Sequence, residues 1–102
     1  MDTAEAVKIA NTYATAIESR FKFVHLFLFG SYARGNFTED SDIDIAVVFK
    51  DYRNSLDMQV ELMRIRRKID SRIEPHPFRE EEFNQSDPLV CEILKFGRKI
   101  EP

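Results

Sequence analysis

Glycine is nearly absent from this chain: three residues in 102, Gly30, Gly35 and Gly97, beside four prolines and no tryptophan. Two of the three lie five positions apart in one polar stretch, and glycine is the residue that permits positive φ or close approach of the backbone to a ligand. Cysteine is rarer still. The single Cys91 excludes an intrachain disulfide and suits a reducing compartment. With one Cys and two His, a structural zinc site lacks ligands. Basic charge is not in excess: the formal net charge is -3, which argues against broad, sequence-independent nucleic-acid binding and leaves room for a local basic site. Long hydrophobic runs are missing too. The longest, around Phe23 to Phe29, is interrupted by His25 and is far too short to span a bilayer. The N-terminus, "MDTAEAVKIANTY", is acidic and mixed, unlike a secretory signal. These absences predict a soluble, cytoplasmic protein with no membrane association.

What is present suffices for one domain spanning 1–102. The chain is 43% hydrophobic and 12% aromatic, enough for a single core and too short for two. Helical spacing runs from Thr3 to about Ser19, with Val7, Ala10, Ala14, Ile17 and Phe21 on one face. Asp2 and Glu5 resemble a weak capping box. Phe23 to Phe29 reads as a strand covered on both faces, Gly30 to Ser41 as a loop, and Asp42 to Phe49 as a second strand. A helix follows from Ser55, its expected N-cap, to about Ile69, with Met58, Leu62, Ile65 and Ile69 on one stripe. Arg72 to Phe78 is extended, and Pro75 and Pro77 mark it as an edge strand or a strand end. Asp87-Pro88 opens a last helix that ends before Gly97. The expected fold class is α+β: a small mixed sheet with helices packed on it, in the order αββαβα.

The chemistry concentrates in "LFLFGSYARGNFTEDSDIDIAVVF". Residues two apart in a strand share a face, so Asp42 and Asp44 point together while Ile43 and Ile45 point into the core. Paired carboxylates repel each other unless cations sit between them, and an all-oxygen set suits Mg²⁺ or Mn²⁺. The competing reading has Asp42 closing the loop and Asp44 paired with an arginine. Glu74 is the candidate third carboxylate, with Ile73 facing the core beside it; Asp70 is its competitor. Gly30 follows a strand directly, so the Gly-Ser amides and the Ser31 hydroxyl can face a phosphate, and the planar fork of Arg34 suits phosphate oxygens. Gly-Ser alone is an ordinary turn. Gly-Ser followed by an i, i+2 aspartate pair supplies a phosphate grip and a metal grip together.

In this combination "FGSYARGNFTEDSDIDIAVVF" resembles the nucleotidyltransferases of the DNA polymerase β superfamily, whose motif is G-S, a spacer and D-x-D. It looks like the form found in the minimal nucleotidyltransferase branch, which consists of single small domains. The resemblance implies a nucleotidyltransferase palm that uses two Mg²⁺ ions, with Mn²⁺ as an alternative, and transfers a nucleoside monophosphate, with AMP from ATP expected. By resemblance, Gly30 and Ser31 hold the β/γ-phosphates and Arg34 contacts phosphate. Asp42 and Asp44 bind both metals. Glu74 helps bind the catalytic ion and draws the proton from the attacking hydroxyl. Many relatives carry Asp at that place, so Glu74 is a departure, one methylene longer and followed by proline.

A palm of this length has no second domain to bind an acceptor, so the acceptor comes from a partner or a symmetry mate. The resemblance implies a helical HEPN-type partner, with this chain as the antitoxin of a toxin–antitoxin pair that adenylylates a hydroxyl of its toxin. The alternative is an antitoxin that neutralises by contact, with a weak or retired site. Small-molecule transfer ranks last, because enzymes of that kind carry an acceptor domain. Two further stretches bear on partners. "RIRRKIDSR" holds five basic residues, read as a solvated helix end or a binding patch; the tail "DPLVCEILKFGRKI" is apolar on more than one stripe. His76 stands two residues from Glu74, read either as an exposed histidine or as a substrate contact.

Overall fold

The helix signals in the sequence act locally, and in the computed structural model, which covers residues 1–102, they open the three longer helices at side-chain caps. Helix α1 (Thr3–Glu18) begins at Asp2, whose Oδ1 accepts the Glu5 amide at 2.9 Å. Strand β1 (His25–Phe29) runs into Gly30, and a single-turn helix α2 (Ser31–Arg34) follows inside the expected loop. Strand β2 (Ile43–Phe49) leads to α3 (Ser55–Arg66), β3 (Ile73–Arg79), a 3₁₀ turn (Glu80–Glu82), α4 (Pro88–Phe96) and a two-residue β4 (Arg98–Lys99). Asp87 caps α4 by accepting the Leu89 amide at 2.9 Å, and Pro88 occupies the first turn, where a missing N–H costs nothing.

The four strands lie in the order β3-β2-β1-β4. β1 is antiparallel to β2 and to β4, whereas β2 and β3 are parallel and joined through α3, so the sheet is mixed. β3 takes an edge. Pro75 and Pro77 have the same strand parity, so both lack a donor on the side away from β2, where no ladder bond is lost.

The alternation of β2 sorts its residues onto two faces. Ile43, Ile45, Val47 and Phe49 join Leu26, Leu28 and Ile73 against α1 and α3 in the main core. On the other face Ala46 packs with Phe29 and the α4 residue Ile93, flanked by Phe27, Phe78 and Phe83. Burial of each large aliphatic side chain supplies about 1.5–3 kcal/mol, so the two clusters hold the sheet between its helical layers. Tyr13 is fully buried in the main core and its hydroxyl donates to the Leu62 carbonyl at 2.7 Å, which ties α1 to α3.

Several expected boundaries move. α3 is capped by Asn54, whose Oδ1 accepts the Asp57 amide at 3.1 Å, so Ser55 is the first helical residue instead of the cap. α3 stops at Arg66, three residues before Ile69, because Asp70 closes the next turn: Arg72 donates its backbone N–H, Nε and Nη2 to that carboxylate. Those contacts hold the Asp70 carboxyl below its ordinary range. β1 starts at His25, and Asp42 sits one residue before β2. β4 had no sequence signal, being two exposed basic residues placed by pairing with Phe27 and Leu28. No helix is long and apolar enough to cross a membrane.

Candidate active site

The polar groups that remain gather where β1 ends and β2 begins. Gly30 leaves β1 at φ +77°, ψ −154°, a conformation essentially restricted to glycine. Its second constraint is spatial: a Cβ at this position would collide with Asp44 Oδ2. Antiparallel pairing sets Phe29 opposite Asp44, so the glycine turn is carried to the aspartate by strand register alone. α2 is held in place by Tyr32, which is buried, stacks on Phe37 at 4.9 Å between ring centroids, and accepts a 2.7 Å hydrogen bond from the Thr3 hydroxyl at its carbonyl. Ser31 thus opens a helical turn anchored from beneath.

Asp44 points to the α4 face of the sheet and lies at its open end, with 28% of its side chain exposed. Asp42 precedes it by two residues, outside the strand and exposed. The expected competitor, an arginine bridging Asp44, does not occur. Asp44 Oδ1 meets His76 Nε2 at 3.4 Å instead. The parallel register places Glu74 beside Asp44 on the same face, as the alternation of the segment predicts. Its carboxylate, however, is drawn to Arg66, with Oε2 at 3.7 Å from Nη1. Arg66 reaches around the edge strand and also donates to the Ile73 carbonyl at 2.8 Å. Arg34 is likewise engaged: its Nη1 lies 3.0 Å from Glu92 Oε1 on α4.

Gly30, Asp44 and Glu74 are therefore neighbours, Asp42 and Ser31 flank them, and Arg34 is tied outward to α4. No three acidic or imidazole side chains form a ready-made metal cage. The donor set fits a different mode of binding. Mg²⁺ keeps several waters and is ordinarily held by one or two carboxylates together with substrate phosphates, and Asp44 with Asp42 is such a pair beside an open turn.

The partners Arg66, Glu92 and His76 were not assigned from sequence, because each comes from a different element and reaches its carboxylate or guanidinium only through tertiary packing. The basic run splits in a similar way. Arg64 and Arg20 share Glu61, at 3.0 and 2.7 Å, on the face opposite Asp44. The largest cleft, about 360 Å³, lies there between Ala16, Arg20, Arg64, Ile65, Lys68 and Ile69, remote from the aspartates. On α4, Val90 and Ile93 are buried while Leu89, Leu94 and Phe96 are exposed.

The family model of the nucleotidyltransferase domain matches residues 11–101. The chain belongs to this family. The nucleotidyltransferase domain is 42% identical over 50 residues to the "Putative protein adenylyltransferase MJ0604" of Methanocaldococcus jannaschii, a match covering 47% of each chain. It thus spans about half the length of that relative. In structure, the domain superimposes on a "putative nucleotidyltransferase" from Sulfolobus solfataricus with a TM-score of 0.70 at 24% identity, covering 95% of this chain and 80% of that one. It also matches a complex described as a tri-AMPylated Shewanella oneidensis HEPN toxin with MNT antitoxin, with a TM-score of 0.64 at 21% identity, covering 94% and 71%. At these identities the two superpositions establish the fold, an α+β nucleotidyltransferase fold with a mixed four-stranded sheet.

Proposed function

We propose that this nucleotidyltransferase domain transfers AMP from ATP to a hydroxyl of a protein partner, and that the partner is a helical HEPN-type toxin. One observation carries the reading: the Asp44 carboxylate packs against the Cα of Gly30, which joins the acidic half of the motif to its phosphate-turn half. The AMPylated toxin bound to a similarly folded antitoxin supports the choice of partner and of AMP. A cytoplasmic setting goes with that choice.

In this reading the Gly30–Ser31 turn grips the β- and γ-phosphates. Asp42 and Asp44 present their oxygens to the metal-bound end of the nucleotide. Asp42 and Asp44 would hold divalent ions brought with ATP, Mg²⁺ or Mn²⁺, whose charge would offset that developing at the α-phosphate and lower the pKa of the attacking hydroxyl. Arg34 exchanges Glu92 for a phosphate oxygen, a favourable swap because the guanidinium fork matches either anion. Glu74 takes the proton of the attacking hydroxyl after leaving Arg66. The hydroxyl oxygen bonds to the α-phosphorus as the bond to pyrophosphate breaks, and the proton passes to the carboxylate.

A second reading is favoured by the Glu74–Arg66 pair: an antitoxin that neutralises its partner by contact, its third carboxylate retired into an ion pair. One experiment separates the two. The chain is incubated with a HEPN partner and ATP labelled at the α-phosphate. Transfer of label that is lost in Asp44→Asn supports catalysis. Equal labelling by both proteins overturns it. Absence of label, with the Asp42→Asn/Asp44→Asn variant still neutralising the toxin, supports the contact reading.

A further inference from the structure

Resting on the reading of Asp44 as the metal-facing acid, we infer that His76 is its positioning residue. His76 lies two residues beyond Glu74 on the same face of β3, and its register partner on β2 is Ala46. Ala46 is fully buried and small, so the imidazole has room to lie across β2. There it meets the Phe29 ring edge-on, with centroids 5.1 Å apart and planes at 64°. Its Nε2 reaches Asp44 Oδ1 at 3.4 Å. An ionised carboxylate only accepts hydrogen bonds, so Nε2 carries the proton and donates it. At this length the contact is at the long end of hydrogen-bond distances.

The two oxygens of Asp44 are thereby set apart. Oδ1 is held by His76, and Oδ2 lies against Gly30, next to the serine turn. A carboxylate free to rotate would present either oxygen in a range of directions, and ordering it would cost entropy at each binding event. The imidazole is less free to turn, because the Phe29 ring on β1 meets it edge-on while its backbone is paired to Ala46 on β2. His76 therefore orients Asp44, and not the reverse. Hydrogen-bonded partners behind metal-binding groups are worth about 10–100-fold in metal affinity or activity.

Mn²⁺ binding to the full chain, followed by water-proton relaxation and by electron paramagnetic resonance, tests the assignment. His76→Phe keeps an aromatic ring against Phe29 but removes the donor, and weakens Mn²⁺ binding about 10-fold or more. His76→Gln keeps an N–H donor and restores affinity to near the wild-type value, a rescue that a packing role alone does not produce. Wild-type affinity in His76→Phe overturns the role, as does His76→Gln binding as weakly as His76→Phe. Nitrogen coupling from an imidazole on the bound Mn²⁺ overturns it differently, by making His76 a ligand itself. Asp44→Asn separates this inference from the reading beneath it: loss of Mn²⁺ in Asp44→Asn with none in His76→Phe removes only the role of His76. Undiminished binding in Asp44→Asn removes both.

Discussion

Asp44 Oδ2 occupies the space that a Cβ on residue 30 would need. Glycine at this turn thus answers two demands at once, a positive φ and room for the carboxylate of the neighbouring strand. Gly30→Ala is expected to destabilise the domain by about 1–3 kcal/mol from backbone strain alone. It also displaces Asp44, so AMP transfer falls further than the lost folded fraction explains. Urea unfolding midpoints beside initial rates on the same preparation check both parts.

Glu74 and Arg66 make the second relationship worth testing. Glu74→Gln removes the proton acceptor while keeping the shape of the side chain, and the transfer rate is expected to drop about 100-fold or more with the KM for ATP little changed. A rate equal to wild type would instead leave Glu74 as an ion-pair partner of Arg66 with no part in the proton transfer.

Arg34 must leave Glu92 to hold a phosphate. Arg34→Ala is expected to raise the KM for ATP about tenfold, equivalent to about 1.4 kcal/mol. Arg34→Lys recovers only part, since an ammonium lacks the bidentate fork. Glu92→Gln shifts the KM in the opposite direction, because the guanidinium no longer has a competing carboxylate. Steady-state kinetics on the three variants suffice.

Tyr13 supplies a pH dependence on the far side of the sheet. Burial pushes its hydroxyl well above the ordinary tyrosine range, an effect partly offset by the charge of Arg66. A raised acid is favoured in its neutral form by folding, so its contribution is fully present below about pH 10 and is lost as pH rises beyond that. Tyr13→Phe costs about 1 kcal/mol near neutrality by removing the bond to the Leu62 carbonyl. It also flattens the decline of stability above pH 10. Thermal melts from pH 7 to 11 measure both slopes.

Local signals were legible where the chain needs only its neighbours. Asp87-Pro88 starts α4 through its cap and the fixed φ of proline, and Gly97 follows its end, where a Cβ would collide with the Ile93 carbonyl. Edge placement of β3 was readable from Pro75 and Pro77, since a missing N–H is tolerated only where no strand pairs. Asn54 was harder, because Asn54 and Ser55 are both competent caps and the choice rests on where the chain leaves β2. β4 and α2 were not readable: each is too short to show a period, and pairing or anchoring by distant residues forms them.

At the site, chain order alone places Gly30 and Ser31 at a strand end and Asp44 on the side of the next strand away from Ile43 and Ile45, because alternation is a property of the extended backbone; Asp42, expected on that strand too, lies one residue before it. Packing decided the rest. Which oxygen of Asp44 is held by His76, where Glu74 directs its charge and what Arg34 grips all depend on side chains of other elements, brought near by packing that no local pattern encodes. Those contacts follow from the parallel alignment of β3 on β2 and from the seating of α4 over Phe29 and Ala46, so they belong to the assembled core.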